Sequence, residues 1–407
     1  MIREAAGSTS DPQGSRDMIR GEKQSARIHC NGRCQGAVGI AVIGCGYWGP
    51  HLIRNLHGIA DAELLGVADP RPDRLEYVRR SYPTVDLFSS HEELLATEAD
   101  AVVVASPIHT HYRLAREALL AGKHVLVEKP LATSVAEAAE LIELAHQRER
   151  VLMAGHTFVY NPAVRELRRL VQEGELGRIY YGDSARLNLG IFQRTVNVAW
   201  DLAPHDISIL MHVLGQDPVM VSARGSRCVR PDMHDVCYLE IQFSAGTTAN
   251  VHVSWLHPDK VRQLTLVGDR RMVVFDDVSS AAKLRIYDSG VQSPVTDNYG
   301  EFELAYRHGQ IVIPYIDWRE PLRLECEHFV HCVRSGERPL SDAEQGLAVV
   351  ATLEAADRSL RRDGVRVPVE RPPMPSSNGN RKWQPRTASL ADDALAAVQP
   401  GSDGRHA

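Results

Sequence analysis

The sequence predicts an α/β fold: an N-terminal Rossmann-type doubly wound parallel sheet, then an α+β part with a large open, mainly antiparallel sheet. Between residues 38 and 160, short apolar runs alternate with helix-like segments, which is typical of parallel strands covered by helices on both faces. After Pro162 the runs alternate apolar and polar residues, as in a sheet with one solvated face. Helical patterns return over 320–334 and 342–361, with Gly336 and Gly364 beyond their ends.

The length and the local composition suggest the domain organisation. A chain of 407 residues is long enough for two to three domains with cores of their own. We expect a dinucleotide-binding domain over 38–160 and a substrate-binding and oligomerisation domain over 161–370. Both ends are rich in small and polar residues without periodicity, so 1–37 is predicted as a disordered leader and 371–407 as a disordered tail.

Composition argues against several classes of protein. The formal net charge is −6 and no basic stripe stands out, so we expect no nucleic-acid partner. No apolar run reaches the length of about 18 residues that a membrane-spanning helix needs, and no secretory signal is visible at the N-terminus. Seven scattered cysteines lack metal-site spacing and fit reduced thiols, so we predict a cytoplasmic protein without a metal.

A glycine motif follows the first apolar run, Gly39–Ile43. Gly44, Gly46 and Gly49 have the Gly-x-Gly-x-x-Gly spacing, between a predicted strand and a predicted helix. The first glycine permits a tight turn, the second lets the backbone approach a pyrophosphate, and the third lets the helix pack close to the strand. The motif predicts a dinucleotide site, to which Tyr47 and Trp48 also contribute.

An acidic residue bears on the choice of cofactor. A second apolar run ends at Asp69, about twenty residues after Gly49, where a carboxylate can bind the two ribose hydroxyls of NAD and repel a 2′-phosphate. The alternative is that Asp69 only caps a helix or a turn before Pro70. Arg71 could accept the extra phosphate, so we predict NAD and leave NADP possible.

Two further strand ends carry candidate site residues, since ligands bind beyond the carboxyl ends of strands in open α/β sheets. Val125–Val127 reads as a buried strand that stops at Glu128 and Lys129, because Pro130 has no N–H for a ladder. The alternative is a solvated strand end with an incidental ion pair. The strand over 101–105 leads to four candidate cofactor contacts, namely Ser106, Pro107, His109 and His111.

An aspartate and a histidine four residues apart lie in the second part of the chain. On a helix this spacing places Asp201 and His205 on one face. Pro204 suits a first turn, so we expect the helix to begin near Ala203, with Asp201 just before it. The alternatives are a core histidine and an N-terminal cap. A polar loop precedes them whose members could bind hydroxyls or a phosphate or simply lie at the surface: Arg186, Asn188, Arg194 and Asn197.

The glycine motif, Ser106-Pro107 and the stretch Gly122-Lys-His-Val-Leu-Val-Glu-Lys-Pro130 together resemble the glucose–fructose oxidoreductase / inositol dehydrogenase (Gfo/Idh/MocA) family, over roughly residues 39–368. The resemblance implies hydride transfer between a nicotinamide and a sugar, cyclitol or similar carbinol. It also implies a homo-oligomer, a dimer or tetramer, packed through the open sheet. Lys129, Asp201 and His205 match the catalytic positions of the family.

Chemistry suggests a role for each of these side chains. Oxidation of a secondary alcohol needs a base, and we assign His205 as the general acid/base. Lys129 can stabilise the developing alkoxide, Asp201 can orient substrate hydroxyls or keep Lys129 charged, and Glu128 is placed to contact the cofactor ribose. The predicted substrate site consists of the three catalytic residues, Lys129, Asp201 and His205, together with Asn188 and Arg194.

The substrate class remains open among several alternatives. The segment 314–322 and the helix that contains Glu325 look like the family branch that acts on nucleotide-linked or amino sugars, and we predict such a substrate. An inositol or cyclitol dehydrogenase is the first alternative. A catalytically silent nucleotide-binding sensor and an NAD-dependent glycosidase or lyase are the others.

Overall fold

The structure is a computed structural model that describes residues 36–292 and 305–372. The predicted leader and tail lie outside the described residues, apart from the two innermost residues of each. Within the described part, no helix is long and apolar enough to cross a membrane.

The first sheet has six parallel strands in the order β3-β2-β1-β4-β5-β6, which confirms the predicted doubly wound architecture. Its strands form from the continuous apolar runs because both faces are covered, and β1 and β4 are buried along their whole length. The strands are β1 Val38–Ile43, β2 Ala62–Ala68, β3 Asp86–Phe88, β4 Ala101–Val104, β5 His124–Glu128 and β6 Leu152–Gly155.

Helices connect these strands, and two of the five begin at a serine whose side chain accepts a hydrogen bond. Ser134 Oγ accepts a hydrogen bond from Glu137 N at the start of α5, as the capping-box pattern predicts, although the Glu137 carboxylate reaches back to Thr133 N. The helices are α1 Gly49–His57, α2 Pro72–Ser81, α3 His91–Leu95, α4 His111–Leu120 and α5 Val135–Gln147.

The second sheet has nine strands in the order β14-β13-β12-β11-β7-β10-β9-β8-β15. β10 pairs with β7 in parallel, and the other pairs described in this sheet are antiparallel, so the sheet is mixed but mainly antiparallel, as predicted. Its strands are β7 Ile179–Leu187, β8 Pro218–Ser226, β9 Val236–Phe243, β10 Thr248–Ser254, β11 Val261–Gly268, β12 Met272–Asp276, β13 Leu284–Gln292, β14 Ala305–Val312 and β15 Val367–Pro368.

The remaining helices bring the second part of the chain against the first sheet. They are α6 Pro162–Gln172, α7 Val198–Leu214, α8 Pro321–Ser335 and α9 Ala343–Leu360. α7 lies against β7, β9 and β10. α8 packs on α1 and β1, and α9 contacts both β6 and β8, so side chains from either sheet can meet at the carboxyl ends of β5 and β6.

Candidate active site

The turn between β1 and α1 contains the three glycines of the motif, and its geometry requires glycine at two of them. Gly44 has a φ of +101°, and a Cβ there would lie 2.5 Å from the Ala105 carbonyl oxygen. A Cβ at Gly49 would lie 2.3 Å from the Gly44 carbonyl oxygen. A Cβ at Gly46 would meet nothing within 4 Å, so this backbone is open to an approaching group.

The start of α1 fits the pyrophosphate of a dinucleotide. No side chain in the described residues caps this helix, which is also true of α2, α4 and α8. Uncapped N–H groups at a helix N-terminus bind anions. Tyr47 and Trp48 are 74% and 42% exposed beside this turn, so their rings are available for contact with a ligand.

Asp69 is fixed by the backbone around it. Its Oδ2 accepts a hydrogen bond from Cys45 N at 2.7 Å, and its Oδ1 accepts one from Arg71 N at 2.9 Å. The N-cap of α2 is Arg71, so Asp69 caps a turn but not the helix. The Arg71 guanidinium donates to the Asp73 carboxylate at 2.7 Å. This carboxylate offsets the positive charge with which Arg71 could bind the 2′-phosphate of NADP.

The segment after β4 holds the other predicted cofactor contacts. Pro107 and His109 are exposed, and the Ser106 hydroxyl lies 2.6 Å from that of Thr110. His111 differs from the prediction, because its ring is 2% exposed and its two nitrogens lie 2.8 Å from the carbonyl oxygens of Pro130 and Ser106. Its side chain thus joins the loop after β4 to the loop after β5.

Lys129 lies where β5 ends, and the fold brings it to α7. Its Nζ donates to the Asp201 carbonyl oxygen at 2.6 Å and lies 3.7 Å from Asp201 Oδ1. Both side chains are largely buried, with 11% and 21% exposure. The two residues are 72 positions apart in sequence, so this ion pair depends on the tertiary packing that brings the start of α7 to the end of β5.

The helix that carries Asp201 and His205 begins earlier than predicted. α7 starts at Val198, and Asn197 caps it by accepting a hydrogen bond from Trp200 N. Pro204 therefore lies inside the helix and not in its first turn, because the asparagine cap and the buried residues after it establish the helix upstream of the proline. Asp201 and His205 still share one face, one turn apart.

His205 lies in a positively charged environment. Its ring packs edge-on against Phe158, with ring centroids 5.1 Å apart, and its Nδ1 has no hydrogen-bond partner among the described residues. Burial, followed by the positive charges of Lys129 and Arg186, lowers the pKa of His205 well below its usual value. The ring is therefore neutral at neutral pH and can accept a proton.

Two residues predicted in a polar loop are structural instead. Arg186 lies within β7, is 4% exposed, and binds Asp206 through Nε and Nη2 at 2.7 and 3.2 Å. Asn197 is the cap of α7 described above. Asn188 and Arg194 do lie between β7 and α7, half-buried and exposed respectively, so they remain free to face a substrate.

Glu128, predicted as a contact of the cofactor ribose, is 8% exposed, and burial raises the pKa of its carboxyl to about 7 against the opposing effect of Lys129. Three further residues near it were not predicted as site residues, namely His156, Trp255 and Glu325. Burial, then the Glu128 charge, raises the pKa of Glu325 on α8 well above its usual value. His156, next to Lys129 at the end of β6, is fully buried, and neither ring nitrogen has a partner in the described structure. Trp255 Nε1 donates to Asp201 Oδ2 at 3.0 Å.

Comparisons with known proteins agree with this architecture. The model of the oxidoreductase family with an NAD-binding Rossmann fold (GFO_IDH_MocA) matches residues 38–156, and the C-terminal domain model of the same family matches residues 164–274. An inositol 2-dehydrogenase from Saccharopolyspora erythraea is 30% identical over 349 residues, which are 83% of this chain and 97% of that protein.

Two solved structures are similar over most of both chains. That of UDP-N-acetylglucosamine 3-dehydrogenase from Acidithiobacillus ferrooxidans is 26% identical, with a TM-score of 0.69 and coverage of 80% of this chain and 99% of that chain. That of a protein from gentamicin A biosynthesis in complex with NAD is 25% identical, with a TM-score of 0.68 and coverage of 82% and 96%. The chain belongs to the Gfo/Idh/MocA family of NAD-dependent oxidoreductases.

Proposed function

We propose that this protein is an NAD-dependent sugar dehydrogenase or ketoreductase that acts on a secondary hydroxyl or keto group, with a nucleotide-linked or amino sugar as substrate. One observation carries the proposal: the Lys129 ammonium is held on α7 at the Asp201 carbonyl, 2.6 Å away, with His205 one turn further along the same face. A cation, a carboxylate and a neutral imidazole thus lie close together at the end of β5, and they are the set of groups that alcohol oxidation needs.

The residues divide into those that would hold the cofactor and those that act on the substrate. The turn at Gly44–Gly49 would hold the pyrophosphate and Asp69 the ribose hydroxyls. NAD supplies the hydride acceptor when bound. The hydroxyl proton passes to the neutral His205 ring, and Lys129 stabilises the negative charge that develops on the substrate oxygen. Asp201 keeps the Lys129 ammonium in place.

Two substrate classes have support from relatives. The similarity to UDP-N-acetylglucosamine 3-dehydrogenase favours a nucleotide-linked amino sugar. The similarity to inositol 2-dehydrogenases, which extends over 97% of one such protein, favours a cyclitol as the second candidate. Asn188 and Arg194 are the proposed substrate contacts that would distinguish them, because they lie on the segment that leads into α7 and are half-buried and exposed respectively.

A substrate screen tests the proposal directly. Nucleotide sugars, free sugars and inositols are offered with NAD and then NADP, and reduction is followed at the nicotinamide absorbance band. The Lys129→Met protein is the control for contaminating dehydrogenases. If a sugar or nucleotide sugar causes reduction of the nicotinamide cofactor, the proposal is supported. If only inositols do so, the second candidate is supported. Substrate consumption without net NADH indicates a glycosidase or lyase, and NAD binding without any turnover indicates a sensor.

The outer face of the second sheet is the proposed surface for homo-oligomers. Tyr181 and Tyr238 are 43% and 54% exposed there, and the Tyr238 ring stacks on His252 with centroids 4.2 Å apart. Exposed aromatic residues on a sheet face are typical of an interface. Light scattering coupled to gel filtration should give the mass of a dimer or tetramer. Two domains, 38–160 and 161–370, and a cytoplasmic location complete the proposal.

A further inference from the structure

Trp255 connects the second sheet to the candidate active site. It directly follows β10, whose last residue, Ser254, lies opposite Leu187 at the end of β7. The side chain is 1% exposed, and its indole N–H donates to Asp201 Oδ2 at 3.0 Å. A buried indole N–H needs an acceptor, and here the acceptor is a carboxylate of the candidate site.

The Asp201 carboxylate is consequently held from two sides. Its Oδ1 lies 3.7 Å from Lys129 Nζ, and its Oδ2 accepts the hydrogen bond from Trp255. The lysine comes from the first sheet and the tryptophan from the second. A neutral donor adds direction to the carboxylate without competing with Lys129 for charge.

The same tryptophan also supports the segment between β7 and α7, on which Asn188 and Arg194 lie. Gly190 N donates to the Trp255 carbonyl oxygen at 3.0 Å, and a Cβ at Gly190 would lie only 2.9 Å from Trp255 Cδ1. The Phe192 ring packs on the indole with centroids 5.2 Å apart. One side chain thus contacts both the substrate segment and the catalytic carboxylate.

We propose that Trp255 is a positioning residue that fixes the orientation of the Asp201 carboxylate relative to Lys129 and to the segment 188–197. This inference rests on the proposed function for its kinetic consequences. Its structural content, the hydrogen bond from the Trp255 indole to Asp201, does not depend on which substrate reacts. Trp255→Phe keeps an aromatic ring against Phe192 and removes the indole N–H.

The kinetic test is a double-mutant cycle with UDP-N-acetylglucosamine or myo-inositol, whichever the screen shows to react. Trp255→Phe should lower kcat on the order of 10-fold, because a misplaced catalytic group costs rate without loss of binding, while the affinity for NAD stays within a few-fold. In the Asp201→Ala background the same substitution should change kcat by less than about two-fold. An equal loss in both backgrounds would overturn the proposal.

Trp200→Phe is the matched control. Trp200 is also buried and donates its indole N–H to an aspartate, Asp357 on α9, at 2.8 Å. Both substitutions remove an indole–aspartate hydrogen bond and should have similar effects on stability. Only Trp255→Phe should lower kcat. An equal loss of kcat in Trp200→Phe would show that general destabilisation causes the loss, and this would contradict the inference.

A spectroscopic measurement separates this inference from the proposed function. The chain has five tryptophans, so few indole N–H signals appear in a nitrogen–proton correlation spectrum of the NAD-saturated protein, and Trp255→Phe identifies the signal of Trp255. Asp201→Ala should shift that signal, whereas Asp357→Ala should shift the Trp200 signal instead. An unmoved Trp255 signal in Asp201→Ala refutes the inference even if the enzyme is active. A failed substrate screen would leave this result standing.

Discussion

Replacing Glu128 by glutamine should stabilise the protein increasingly as the pH rises from about 4.5 to about 7. Glu128 ends β5 with 8% exposure, and the hydrogen bond that its carboxylate accepts comes from Lys129 N at 3.2 Å. Burial raises the pKa of this carboxyl from 4.5 to about 7, although the Lys129 charge opposes the change. The ionised form is therefore unfavourable in the folded protein, and glutamine imitates the neutral form.

The sign and size of the effect follow from proton linkage. Between pH 4.5 and about 7 the folded protein holds a proton on Glu128 that the unfolded chain has lost, so the stability contributed by this group falls as the pH rises through that window. Since a tenfold change in proton affinity corresponds to about 1.4 kcal/mol, the full cost above neutral pH is about 3 kcal/mol. From about pH 5.5 to about pH 8, the difference between Glu128→Gln and wild type should grow by about 2 kcal/mol.

Urea unfolding followed by tryptophan fluorescence, at fixed protein concentration and at both pH values, measures this difference. The control is Glu140→Gln on α5, where hydrogen bonds from Tyr112 and Arg116 lower the pKa of an exposed carboxyl. That carboxyl is ionised in both states across this range, so its substitution should produce a difference that does not vary with pH. A Glu128→Gln difference that is constant or shrinks with rising pH would refute the reasoning.

Three further predictions concern catalysis and the cofactor. Lys129→Met should lower turnover on the order of 10²-fold, because the lysine charge acts mainly in the transition state. The dissociation constant of NAD, measured by calorimetry, should stay within a few-fold of the wild-type value. Near-normal turnover would contradict the proposed role of Lys129. Asp69→Asn keeps the acceptor for Cys45 N but removes the charge, so NADP binding should improve relative to NAD; a wild type that already prefers NADP would contradict the assignment. The third prediction uses Glu128→Gln, which no longer titrates at that carboxyl. Its kcat/KM for oxidation should stay level down to pH values well below 6.5, because the pKa of His205 is lowered, and a decline centred near or above 6.5 would exclude His205 as the base.

The sequence predicted those parts of the fold that local patterns determine. The continuous apolar runs gave the inner strands of the first sheet, and the glycine spacing gave the turn between β1 and α1. β3 was missed because a three-residue strand carries no periodic signal. The start of α7 was misplaced because Pro204 suggested a helix beginning, whereas the Asn197 cap lies upstream.

The side chains of the site were harder to predict because their environment comes from distant parts of the chain. Arg186 was read as a loop residue, since nothing near it in the sequence indicates that Asp206, 20 residues away, neutralises it inside the sheet. Trp255 was not predicted as a site residue. A tryptophan that packs in a core and one that also orients a carboxylate have the same sequence pattern, and the difference lies in a hydrogen bond across 54 positions.

The position of Lys129 shows why the candidate active site needs both sheets. β5 delivers the lysine, but the groups that hold it belong to α7, and the tryptophan that fixes Asp201 belongs to the second sheet. On the other side, Glu325 arrives on α8, where Thr157 Oγ1 donates to it at 2.8 Å across 168 positions. Since each contact spans a long stretch of chain, partial folding of either sheet leaves the charges unpaired and exposed to water. The lysine can be held as an oriented cation, which the proposed chemistry requires, only after α7 and the second sheet have brought Asp201 and Trp255 to the end of β5.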